Sequence, residues 1–116
     1  MEYHGIIVAE SLKDKSILQK LNVIGRSKGR DWTLCKISVP GKDLERTLEM
    51  LRANMADGFY FHFYGGDELI AVFKKRTFRV KTDKSTWKEL LDYGKKLGIP
   101  EKQLDFSPCR FEDEIY

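Results

Sequence analysis

Cysteine and histidine are scarce in this chain, with two of each, and each scarcity excludes a class of structure. Cys35 and Cys109 are far apart, and neither belongs to a CxxC or mixed Cys/His cluster. A disulfide framework and a structural zinc site are therefore excluded, because both need several ligands at close, repeated spacing. Cys35 sits in a strand-like run and reads as a buried, reduced thiol. His4 and His62 have no partner at metal-ligand spacing, so no metal and no cofactor are expected. No GxGxxG, Walker A, nucleophile elbow or HExxH occurs, which weighs against the common nucleotide-dependent and hydrolytic enzymes.

Long hydrophobic runs are missing too. The apolar stretch Gly5–Ala9 is short and has no basic segment before it, unlike a secretory signal. No run approaches bilayer-spanning length, so no membrane contact is expected and the cytoplasm is the expected location. A large charge excess is also absent, with 21 basic against 18 acidic residues and a net charge of +3. Arg26, Lys28 and Arg30 form one basic cluster, and Lys74, Lys75, Arg76, Arg79, Lys81 and Lys84 another. Solvated faces are the simpler reading of both, because a grip on phosphates needs many converging cations.

What is present is enough apolar material for one domain of 116 residues, 41% hydrophobic and 12% aromatic. A chain of this length buries roughly two thirds of the surface it exposes when unfolded, so a single core is expected without staples. HGIIVAE (4–10) reads as a buried strand, with Ile, Val or Ala on both faces. Ser11 to Asn22 reads as a helix with a capping-box-like start, sending Leu12, Ile17, Leu18 and Leu21 inward. Residues 22–26 suggest a weak strand and 32–39 a stronger one. Leu44, Leu48, Leu51 and Met55 make one stripe of a second helix over 43–55. GFYFHFY (58–64) reads as a strand that sends Phe59, Phe61 and Phe63 one way and Tyr60, His62 and Tyr64 the other. Gly65-Gly66-Asp67 is a hairpin turn, followed by strands at 68–74 and 76–82. A last helix opens near Thr86 and closes at Gly98, before Pro100.

The expected class is α+β: a ferredoxin-like βαββαβ core, extended by a C-terminal β-hairpin and a final helix. Residues 1–106 form the domain, and the acidic tail 107–116 reads as loose.

Three segments, GIIVAESLKDKSIL (5–18), FYFHF (59–63) and LGIPEKQLDFSP (97–108), resemble a family of small prokaryotic proteins of similar length. The likeness spans nearly the whole chain, although the loop before Trp32 is shorter than the family often shows. The resemblance implies a cytoplasmic, single-domain protein and brings no assigned activity, substrate or catalytic residue.

No catalytic residues are assigned from the residues themselves. The stripe Tyr60, His62 and Tyr64, with Arg79 and Lys81 nearby, is the candidate ligand-binding face, because exposed rings along a sheet stack on bases. The favoured alternative is that the last helix covers this face and buries the three side chains. Ser11, Lys13 and Lys15, at the first strand-to-helix junction, are the candidate anion site, against a simple capping role. The leading functional expectation is a non-catalytic binding or regulatory domain acting through protein–protein contact, above all self-association into a homo-oligomer. Single-stranded nucleic-acid binding is the alternative. The third reading is a small enzyme whose pocket joins His62 to an acid such as Glu10 or Asp105.

Overall fold

The computed structural model describes residues 1–116 as six strands and two α-helices. The strands are β1 (Glu2–Val8), β2 (Asn22–Lys28), β3 (Thr33–Pro40), β4 (Tyr60–Gly65), β5 (Glu68–Phe73) and β6 (Thr77–Lys81). They form one antiparallel sheet in the order β2-β3-β1-β4-β5-β6. Helix α1 (Leu44–Asn54) links β3 to β4, and α2 (Lys88–Lys96) follows β6. The class is α+β, as the alternation of strand and helix patterns implied.

The first connection departs from expectation. Residues 11–22 do not form an α-helix; two short 3-10 helices, Ala9–Ser11 and Lys15–Lys20, stand in its place. The backbone explains why. Leu12 bridges Met55, Lys13 N donates to Asn54 O at 2.7 Å, and Ala56 N donates to Ser11 O at 2.8 Å. Ser11 O, which a helix begun there would give to its own next turn, is bonded to the segment leaving α1, and Leu12 is held extended beside Met55. Asp14 then caps the second 3-10 turn by accepting from Ser16 N at 3.0 Å. Leu12 and Ile17 still reach the interior.

The expected single core is two cores, one on each face of the sheet. The first packs Leu44, Leu48 and Leu51 of α1, with Met55, against Ile7, Ile37, Phe61, Phe63, Ile70 and Val72. The second packs Trp87 and Leu90 against Leu69, Ala71, Phe73 and Phe78, with Ile99, Leu104 and Phe106 from the segment beyond α2. Burying each of these large side chains stabilises by roughly 1.5–3 kcal/mol, so the C-terminal segment is part of the fold. Gly5 makes the first core possible. It faces Phe63 across the sheet, and a Cβ there would sit 2.4 Å from the phenyl ring.

Helix α2 stops as its sequence dictates. Gly98 takes a φ of 88°, with Gly98 N bonded to Lys95 O and Ile99 N to Gly94 O, a Schellman ending. Its start differs from expectation. Asp83 caps a 3-10 turn over Lys84–Thr86, and the Thr86 hydroxyl turns back to Lys81 and Asp83 carbonyls instead of capping α2. No helix is long and apolar enough to cross a membrane.

Candidate functional site

The alternation in β4 places Tyr60, His62 and Tyr64 together on the face opposite α1, and that face is covered. The chain from Gln103 onward does the covering. Tyr60 donates to Gln103 O and accepts from Asp105 N at 3.0 Å. Burial raises its phenol to about 12. His62 Nε2 lies 2.9 Å from Pro108 O, and the ring is buried, which lowers its pKa to about 4 and leaves it neutral at pH 7. Tyr64 is fully buried and donates to Glu114. Burial and that carboxylate push its phenol up. The stacking platform is therefore internal, covered more by the C-terminal segment than by the helix.

Arg79 and Lys81 do not join this face. Arg79 pairs in register with Ile70, which pairs with Phe63, so its side chain lies on the α1 side. There it holds Glu68 through Nε at 2.8 Å and Nη2 at 2.9 Å, and Glu45 through Nη1 at 2.8 Å. Lys81 lies 3.4 Å from Asp67.

The junction after β1 is equally consumed. Ser11 is buried and donates to Val8 O at 2.7 Å. Lys13 and Lys15 are exposed, and Lys74 beside Lys13 pushes its pKa down. Without an α-helix there is no macrodipole to attract an anion.

Three of the nine surface depressions are the better formed. One of about 530 Å³ is bordered by Arg79, Glu68, Lys81 and Asp67, charges already paired with one another. A second, of about 350 Å³, holds the Arg46–Asp43 pair. The third, a cleft of about 440 Å³, is different, because seven of its twelve lining residues are hydrophobic. Ile6, His62 and Ile99 are its buried members, Val8, Leu34, Phe59 and Tyr60 are half-buried, and Trp32 stands at its border 48% exposed. Gln103, Asp105 and Ser107 form the polar side.

Local structure fixes Trp32 there. Gly29 N donates to Trp32 O at 2.8 Å, closing the β2–β3 hairpin, and Thr33 N donates to the Glu10 carboxylate at 2.7 Å. That bond holds the Glu10 pKa down. The Trp32 ring meets Phe59 edge-on, with centroids 5.2 Å apart. His62 and Asp105 share the cleft, yet the Asp105 carboxylate accepts from Ser107 N at 3.0 Å and makes no bond to the imidazole. An acid–base pair is not assembled.

A second polar centre was missed from sequence. Glu114 in the tail accepts from His4 Nδ1 at 2.5 Å and from Tyr64, and lies 3.4 Å from Lys36 Nζ. Burial opposes its charge, but these donors and the charges of His4 and Lys36 prevail and hold its pKa down. The tail expected to be loose thus lies on the sheet. No family model, curated protein or solved structure matches the chain.

Proposed function

We propose that this protein is a non-catalytic binding domain whose site is the cleft beneath Trp32, sized for a small, flat, largely apolar ligand. The observation that carries the reading is the exposed indole of Trp32, set edge-on to Phe59 over a hollow bottomed by Ile6 and Ile99. An exposed indole beside a concave apolar wall is costly to leave facing water and gains most from an occupant that stacks on it. Gln103, Asp105 and Ser107 along one side supply hydrogen-bonding groups to orient that occupant. The neutral His62 contributes a ring wall, with its Nε2 engaged by Pro108.

Neither of the other readings keeps equal support. The nucleic-acid platform lies under the C-terminal segment, and the enzyme reading lacks a bonded His62–Asp105 pair. Two further features complete the proposal. The order of the first four strands, β2-β3-β1-β4, supports a ferredoxin-like core whose first helix has shrunk to 3-10 turns. The unpaired thiols of Cys35 and Cys109 suit the reducing cytoplasm.

The test is intrinsic fluorescence of a Trp87→Phe chain, in which Trp32 is the remaining indole, titrated with a library of flat aromatic fragments. Saturable quenching by some fragments, lost in Phe59→Ala, is expected. A library without one saturable quencher overturns the reading.

A further inference from the structure

Residues 107–116 lie across the sheet, yet no backbone–backbone hydrogen bond ties them to the rest of the chain; those they make, such as Asp113 N to Arg110 O and Glu114 N to Phe111 O, are internal. Side chains hold the segment. Phe111 stacks on His4 with centroids 4.0 Å apart, Glu114 enters between His4, Tyr64 and Lys36, and Lys36 Nζ sits 5.1 Å over the Tyr116 ring. This is the manner in which a short peptide docks on a receptor.

The receptor is built on three paired strands. His4, Lys36 and Tyr64 stand on the neighbouring strands β1, β3 and β4, all three at most 9% exposed. Lys36 has Glu114 as its sole ion-pair partner. The fit within one chain is imperfect, because the Tyr116 hydroxyl is buried without a hydrogen-bond partner.

We propose that this face is a receptor for an acidic–aromatic segment of the form Phe-x-x-Glu-x-Tyr, and that two copies of the chain exchange it, each accepting residues 111–116 of the other. The chain's own tail has the side chains that the receptor matches, and only residues 108–110 need turn to redirect it. Tyr116 packs against Gly25 of β2, an edge strand that exposes Ile24, so the docked segment lies beside apolar surface open to a second body. The cleft is a separate site, because its polar wall ends at Ser107, before the exchanged residues 111–116.

Two full-length variants test it by complementation. Glu114→Gln spoils the tail and spares the receptor; Lys36→Met spoils the receptor and spares the tail. Circular dichroism first establishes that each folds, with Tyr64→Phe replacing Lys36→Met where it does not. In sedimentation velocity an equimolar mixture should form a 1:1 heterodimer, associating at least about tenfold more tightly than either variant with itself. A mixture as monomeric as its components overturns the exchange. A variant that dimerises alone as tightly as the mixture overturns it too, by placing the contact elsewhere. Capture of a free peptide of residues 107–116 by the Glu114→Gln chain, without heterodimer, overturns the second copy as occupant and assigns the face to a partner's peptide.

Discussion

Lys36 Nζ and Glu114 Oε1 lie 3.4 Å apart, with both side chains largely withdrawn from water. While the tail is docked, a cation so placed needs its carboxylate, and that carboxylate belongs to a segment held by side chains alone. The docking free energy of the tail therefore rests on a few groups around one carboxyl.

Glu114→Gln should release the tail before it unfolds the domain. Once the tail lifts, water reaches Lys36, so the penalty stops at the docking free energy, about 1–3 kcal/mol, instead of the full cost of a stranded charge. Amide hydrogen exchange should accelerate across residues 111–116 and stay slow in β1, β3 and β4. Uniform acceleration through the sheet would show that the tail and the domain unfold together.

His62 should make stability fall in mild acid. Its folded pKa of about 4 lies below the ordinary value of 6.5, so as pH drops the unfolded chain takes up the proton first. The loss begins near pH 7, accumulates from there to about 4, and levels off below. Between about pH 7 and about pH 5 the loss is about 2 kcal/mol. Urea midpoints measured at both ends should differ in wild type and much less in His62→Phe. Glu114, whose carboxyl is held down, adds a loss of the same sign only at lower pH, as protons reach it. An equal slope in the two proteins would contradict the assignment.

Gly5→Ala should destabilise the first core by roughly 1–3 kcal/mol, the usual cost of overpacking. The new methyl would meet the Phe63 ring at 2.4 Å, with β1 fixed on both sides by β3 and β4. Phe63→Leu in the same chain should recover part of the loss, which chemical denaturation of the four proteins in a double-mutant cycle reads directly.

Tyr60→Phe should loosen the cleft wall. The lost hydroxyl leaves Gln103 O and Asp105 N without their shared partner, at about 1–2 kcal/mol. Fragment affinity at Trp32 should weaken with it, while the tail contacts at Glu114 persist. Unchanged affinity would mean that the Gln103–Ser107 wall takes no part in binding.

Periodicity made much of this legible. The α1 stripe, the alternation from Tyr60 to Tyr64, the Gly65–Asp67 turn and the Gly98 stop are each properties of neighbouring residues, and the structure keeps them; Phe59, expected inward with Phe61 and Phe63, precedes β4 and meets Trp32 instead. The helix expected after Ser11 fails because its backbone bonds Met55 and its neighbours, a partnership more than forty residues away that no local pattern contains. The burial of Tyr60, His62 and Tyr64 has the same origin, since their cover arrives from residues 103–116. The charge of Arg79 suggests a place beside those rings, but the β4–β5–β6 register sends it to the other face. Trp32 and Glu114 do carry local signals: an indole beside a hairpin turn, and an acidic tail that holds aromatic residues.

Amide chemical-shift mapping of the full-length chain with its best-quenching fragment tests the cleft most directly. Shifts concentrated at Trp32, Leu34, Phe59 and Gln103–Ser107 are the predicted result. Shifts confined to the depression beside Arg79 and Glu68, or scattered without saturation, would contradict it.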